Sequence, residues 1–492
     1  MLRAAFVAHR YLGMSVGALM LMWCLSGAVM MYVPYPSLSE PRRLAALEPI
    51  DWRACCVFPA DLASRPIGDF QLEMLGGEPV LRMFPDNVRR SPTLIDLHDG
   101  RELSGLSLRE AQAAAAAIGR RLGFAGAPIE DGRVIHDQWT VDGSPWGDDP
   151  LFRFAWRDSA KSVLYISSRT GAAVQLTTVR QRFWNWLGAI PHWIYFAPLR
   201  EHPWLWAQAI IWSAILGSFL TLTGLYLGWL QFWRLRTPGR LSPYRGFFFW
   251  HHVPGLVFGA FALSWVLSGL VSMNPWGFLE EKSPGPERLL LQGARMTGAQ
   301  LQAAISNLRT RTFESPRTIE FSIVSVQPAP LAGAPMLSLL GAGGQRMRVD
   351  ASGRPSPLRA EDLSFIAATL GQRTPWSASQ LLVSGDSYYF AHHSDEVVLP
   401  VYRVVSGDAP HARYYIDPSS GVLLRKIGAN SRAYRWLHEA LHRWDFVQSR
   451  PLWDLGMLAL LAGVAFLCAT GTYLGLRRWL RSPHPREQNA HP

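Results

Sequence analysis

YLGMSVGALMLMWCLSGAVMMYV, residues 11–33, contains no charged side chain. At about 1.5 Å per residue, a helix over this stretch covers roughly 30 Å, the depth of a bilayer's hydrocarbon core. VPGLVFGAFALSWVLSGLVSM, residues 253–273, is a second run of the same kind, and 204–230 and 455–476 are two more. Four uncharged runs of this length are unusual in a soluble fold, so a set of buried core helices is the weaker reading. The first run is too long for the apolar core of a cleaved signal peptide, and no A-x-A-like site follows it. It reads as an uncleaved signal anchor.

Composition agrees with a membrane. Lys and Arg number 48 against 37 Asp and Glu, a formal net charge of +11. In a soluble chain that excess would suggest nucleic acid. Here 49% of residues are hydrophobic and 21 are Trp, so a membrane surface explains the charge better and no nucleic-acid partner is expected. Arg3 and Arg10 precede the first run, Arg234, Arg236, Arg240 and Arg245 lie between the second and third, and Arg477, Arg478, Arg481 and Arg486 follow the fourth. The positive-inside rule places all three groups in the cytoplasm. The long segments 34–203 and 274–454 then lie outside, in a periplasm if the cell has two membranes. Trp residues crowd the ends of the runs, as an interfacial belt requires.

The two halves of the chain match. At a shift of 242, His9 meets His251, Gly13 and Gly17 meet Gly255 and Gly259, Trp23 meets Trp265, and Leu25-Ser26-Gly27 meets Leu267-Ser268-Gly269. At a shift of 250, Arg153 meets Arg403, Tyr165-Ile166 meets Tyr415-Ile416, Trp186-Leu187 meets Trp436-Leu437, and His192 meets His442. That stretch holds eleven identities in 47 ungapped positions, where composition alone would give about three. At a shift of 247, Thr223-Gly224 meets Thr470-Gly471. The unit is span, external domain, span, and it occurs twice in the same orientation, which implies a pseudo-two-fold axis along the membrane normal. The paired G-x-x-x-G faces suit close helix contact.

The predicted organisation is therefore a first span at 1–33, an external domain at 34–203, a second span at 204–230 and a cytoplasmic loop at 231–250. A third span at 251–274, an external domain at 275–452, a fourth span at 453–477 and a cytoplasmic tail at 478–492 complete it. Each external segment reads as a small α+β domain. Ser107-x-x-Glu110 and Thr297-x-x-Gln300 have the capping-box pattern, and a third helix is expected over 358–370. Strands are expected at 151–156, 162–167, 397–405 and 413–417, and Tyr415-Ile416-Asp417-Pro418 followed by Gly421 reads as a strand entering a turn. The Gly-, Pro- and Ala-rich stretch 329–345 is expected to be a mobile loop. Asp386 and His392-His393 read as a solvated loop. No hydrolytic or phosphate-binding motif is present.

Of the four cysteines, Cys24 and Cys468 lie in apolar runs, where a thiol is a small hydrophobe. Cys55 and Cys56 are adjacent, and no C-x-x-C or C-x-x-C-H occurs. A zinc ribbon, covalent c-type haem and a disulfide framework are not supported.

The placement of histidine, 14 residues in all, is the informative feature. His9 and His251 occupy matched positions at the cytoplasmic ends of spans one and three. His192 and His442 occupy matched positions just outside spans two and four, in aromatic segments 183–196 and 434–446 that read as short interfacial helices. His438 stands one turn from His442, and His252 next to His251. If a pseudo-two-fold axis relates the halves, each matched pair faces itself across it, one pair per leaflet. A haem iron held by two imidazoles needs that arrangement. The plain alternative is histidines that merely meet lipid headgroups. The uncharged runs contain no intramembrane ionisable residue of the kind a coupled transporter carries, which favours electron transfer.

The chain resembles the PepSY-associated transmembrane family. The likeness rests on His9-Arg10-Tyr11-Leu12-Gly13 opening span one and Ser26-Gly27 near its end. It rests also on the Trp-Leu-x(4)-His segments ending at His192 and His442, and on the Tyr-Ile-Asp-Pro turn from Tyr415. The resemblance implies a four-span inner-membrane protein with two PepSY-like periplasmic domains. It also implies two b-type haems ligated through His9, His251, His192 and His442, with His438 and His252 as further candidates, and reduction of a ferric siderophore or other ferric chelate. Arg10 stands where the second copy has His252, and Gly188 where it has His438. No nucleotide-binding motif is visible, so the electron donor would be a quinol or a redox protein. The alternatives are a non-enzymatic membrane module that binds or senses a periplasmic ligand or protease, and an importer of iron chelates.

Overall fold

Each uncharged run is helical. The helices span Leu2–Met30, Pro203–Arg234, Phe247–Ser272 and Arg450–Arg481, and all four are long and apolar enough to cross a membrane. The computed structural model describes residues 2–85, 92–143, 149–235, 239–281, 285–314, 319–370, 376–391, 397–407 and 411–481. The second and fourth helices outrun the predicted spans. The second begins with Pro203, whose missing N–H falls in the first turn, where no intrahelical partner exists. It then continues through Arg234, because backbone bonding does not stop where the apolar side chains do.

The chain divides into two compact units. The first gathers Met1–Tyr35, Phe183–Glu280 and Asn430–Pro492. In it the first helix packs on the second and fourth, and the third packs on the same two. The first and third are therefore diagonal neighbours. Val16, Met20 and Cys24 meet Ala214, Leu220, Ala262, Val266, Val464 and Cys468 in the core. The buried Cys24 and Cys468 thiols hydrogen-bond one another. Small residues set the spacing. A Cβ on Gly259 would lie 2.6 Å from Leu225, and one on Gly17 would lie 3.2 Å from the Thr472 hydroxyl, whereas Gly13 and Gly255 leave ordinary contact distances. Trp212, Phe219, Leu222, Tyr226 and Leu455 are exposed on the outer faces, a surface suited to lipid rather than water.

The second unit comprises Pro36–Arg182 and Glu281–Ala429. Two separate external domains were expected. Instead, strands from both segments join in one seven-stranded sheet. Its order is Arg346–Val349, Leu337–Gly341, Ile323–Pro328, Asp69–Leu75, Glu78–Phe84, Thr93–Asp96 and Glu102–Leu103. The junction pairs Ser325 with Glu73 and Val326 with Leu72. Pairing the two edges removes two rows of open backbone groups and buries Phe70, Leu72, Leu81, Val326 and Leu339 together. Glu73 is buried at this seam and binds Arg43 at 2.8 Å and Arg82 at 2.7 Å, the partners a buried carboxylate requires.

Two four-stranded antiparallel sheets complete the unit. One runs Ile129–Val134, Leu151–Ala155, Val163–Ser167, Ala173–Thr177, the other Trp376–Leu382, Val401–Ser406, Arg413–Ile416, Leu423–Ile427. Their registers slip at the same relative place, between Tyr165 and Ile166 and between Tyr415 and Ile416. Each carries the same polar knot. Asp137 Oδ1 accepts the Trp139 and Thr140 N–H groups, and its Oδ2 accepts the Tyr165 hydroxyl at 2.8 Å beside Arg153. Asp386 Oδ1 accepts the Tyr388 and Tyr389 N–H groups, and its carboxylate takes Arg403 at 2.7 Å and the Tyr415 hydroxyl at 2.9 Å. Asp386 is thus a structural anchor, not a solvated loop residue. His392 and His393 lie outside the described residues.

The expected helices form at Leu108–Arg121, with its reciprocal Ser107–Glu110 cap, at Gly298–Glu314 and at Ala360–Leu370. Two expectations fail. The supposed loop 329–345 contains the fully buried strand Leu337–Gly341, because Leu337, Leu339 and Leu340 outweigh the glycines around them. Cys55 and Cys56 are joined to each other by a disulfide, a bridge between neighbours that cysteine spacing does not reveal.

Candidate functional site: two facing histidine pairs

His9 and His251 come from the diagonal first and third helices and face each other with ring centroids 6.2 Å apart. His9 Nδ1 lies 3.1 Å from the Leu220 carbonyl and 3.4 Å from the Thr223 hydroxyl, both on the second helix. His251 repeats this on the fourth helix, with Nδ1 3.4 Å from the Thr470 hydroxyl and the Leu467 carbonyl beside the ring. The adjoining glycines make the room. A Cβ on Gly224 would sit 2.7 Å from His9 Cε1, and one on Gly471 2.8 Å from His251 Cε1. The duplicated Thr-Gly dipeptide is therefore a seat for an imidazole.

His192 and His442 form the second pair, with centroids 6.1 Å apart. They stand on the short helices Ala189–Trp193 and Leu441–Arg443, which both end on a left-handed residue, Ile194 and Trp444. His192 Nδ1 bonds the Trp23 carbonyl and the Ser26 hydroxyl, each at 3.1 Å. His442 Nδ1 bonds the Trp265 carbonyl at 3.2 Å and the Ser268 hydroxyl at 3.0 Å. Gly27 and Gly269 leave 3.3 Å and 3.7 Å to the two Cε1 atoms. The Leu-Ser-Gly repeat is a second seat of the same design. Sequence reading noted both repeats but not their role. The identities at Thr223-Gly224 and Ser26-Gly27 were the available signal.

A carbonyl only accepts, so Nδ1 carries the proton in His9, His192 and His442. Among the described residues no hydrogen bond reaches their Nε2 atoms, which keep a lone pair. Burial holds the His192 imidazole down to about 4, and burial, then His438 and His192, hold His442 down to about 3. Both are neutral near pH 7, the state that can ligate a metal. A metal–imidazole bond of about 2 Å on each side, with roughly 1 Å more from nitrogen to ring centre, gives centroids about 6 Å apart. Both pairs have that separation. Among the described residues no cluster of three or more His, Cys, Asp or Glu side chains could hold a bare metal ion. Each pair would offer a haem iron two imidazole nitrogens, one from each half of the chain.

The two remaining candidates differ. His252 Nε2 bonds the Gly228 carbonyl at 3.0 Å and its Nδ1 meets the Ser242 hydroxyl at 3.0 Å. Both nitrogens are engaged, so His252 fastens the loop between the second and third helices. His438 bonds the Ser268 carbonyl through Nδ1 at 2.8 Å, and its ring lies 5.2 Å from that of His442. Compared with known proteins, the chain matches no family model and no curated sequence.

Proposed function

We propose that this chain is a transmembrane electron carrier of the PepSY-associated type, holding two b-type haems and reducing a ferric chelate, such as a siderophore complex, outside an inner membrane. The observation that carries the reading is the pairing itself. Histidines from opposite halves meet in twos, each with Nδ1 tied to a carbonyl or a hydroxyl and Nε2 left free. His9 and His251 would hold one haem, His192 and His442 the other. Bound haem supplies one-electron chemistry between ferric and ferrous iron. The protein's part is to fix each tautomer, to exclude water with the core around Val16, Met20 and Val266, and to separate the pairs along the first helix. His9 and the Trp23–Gly27 seat of His192 are 14–18 residues apart, roughly 21–27 Å of helix.

The matched sheets, matched polar knots and matched seats support a duplicated unit. The arginines at 3, 10, 234, 240, 477 and 478 support cytoplasmic termini. The electron donor, a quinol or a redox protein, would meet the His9–His251 end, and the acceptor the other. Hard oxygen ligands favour ferric iron, so one electron loosens the chelate's hold and releases ferrous iron. Haem analysis of single variants tests the assignment. His9→Ala should lose one haem of two and His192→Ala the other, each abolishing reduction of an added ferric hydroxamate by quinol. Full haem content in both variants would reject it.

A further inference from the structure

The outer pair has a third imidazole. His438 and His442 both depend on Ser268, whose carbonyl takes His438 Nδ1 and whose hydroxyl takes His442 Nδ1. The same argument from the carbonyl puts the proton of His438 on Nδ1 and leaves Nε2 with a lone pair. Three rings at this site therefore share one tautomer, whereas the inner pair's neighbour His252 has neither nitrogen to spare. A π-helical turn over Arg435–Ala440 precedes His442, a distortion common at functional sites. It leaves the His438 and His442 planes tilted by 33°.

The first half makes no such provision. Gly188 stands at the matching position, and even a Cβ there would lie 3.0 Å from Val29 Cγ1. The matching short helix, with His192 in the same seat, forms without any counterpart of His438, so the fold does not need the ring as a strut.

We infer that His438 is a reserve axial ligand of the outer site, able to take the coordination position of His442 opposite His192. This rests on the haem reading above. With haem bound, His438 Nε2 would serve in place of His442 Nε2, one donor nitrogen for another. Nδ1 of each ring stays on its carbonyl, so the exchange would move neither a proton nor an electron. His438 would stand in for His442 and not for His192, because its ring lies beside that of His442, 5.2 Å away on the same stretch of helix.

Electron paramagnetic resonance of the purified full chain, read as low-spin haems per protein, tests this. His442→Ala should keep two low-spin haems, through His192 and His438. His438→Ala should also keep two, and the His438→Ala/His442→Ala double variant only one. His192→Ala should keep only one. If His442→Ala is poorly recovered, His442→Asn retains a donor for the Trp265 carbonyl and gives the same readout. Loss of the outer low-spin signal in the His442 variants alone, or in His438→Ala alone, overturns the inference. A wild-type protein without haem would instead overturn the reading on which it rests.

Discussion

At the scale of the residue, glycine and hydroxyl side chains do as much as the histidines. An imidazole in an apolar interior must be neutral and hydrogen-bonded. Here each obtains a carbonyl, a hydroxyl and a gap left by a missing side chain. The gaps are unequal, which makes a graded prediction. Ala at Gly224 or Gly471 puts a methyl within 2.7–2.8 Å of a ring carbon and should displace the His9 or His251 imidazole, leaving about one haem per chain in place of two. Ala at Gly269, with 3.7 Å available, should leave haem content near wild type. The ratio of haem to protein in purified variants distinguishes the two cases. The sequence identities between the halves mark the histidines and the Thr-Gly and Ser-Gly dipeptides alike, but they do not say that one seats the other. A carbonyl that accepts a hydrogen bond across a bundle leaves no trace in residue type.

At the scale of the element, the apolar helices were readable and the shared sheet was not. A run of 20 or more apolar residues is a local signal that length alone resolves. The pairing of Ile323–Pro328 with Asp69–Leu75 joins strands some 250 residues apart, and neither strand's alternation names its partner. Asp137 does not stand out in the repeat, since it matches Asp386 at a shift of 249, one less than the neighbouring identities. Both knots should matter for stability. Asp386→Ala leaves Arg403 and the Tyr415 hydroxyl without their acceptor and should cost about 1–3 kcal/mol, and Asp137→Ala a similar amount. Burial alone would raise the Asp386 carboxyl, but hydrogen bonds from the Tyr388 N–H, Arg403 and Tyr415 hold it below its ordinary 3.8. Its contribution is therefore complete above that value and lost as pH falls through the folded one. The gap in thermal midpoint between wild type and Asp386→Ala should be full at pH 6 and shrink below pH 4. A gap independent of pH would show that the carboxylate's charge is irrelevant.

At the scale of the whole chain, the two halves match in both units and diverge at two places. The copies keep their imidazole seats, their sheet order and their polar knots. They differ at Gly188 and His438, and at Arg10 and His252, so the His192–His442 pair gains a neighbouring ring while the His9–His251 pair gains only a loop fastener. The central claim is that the facing pairs are haem sites, and the visible spectrum of full-length protein purified from haem-sufficient cells tests it most directly. The oxidised protein should show a strong Soret band, dithionite should sharpen a b-type α band, and extraction should return two haems per chain. A protein that is colourless in both states would contradict it.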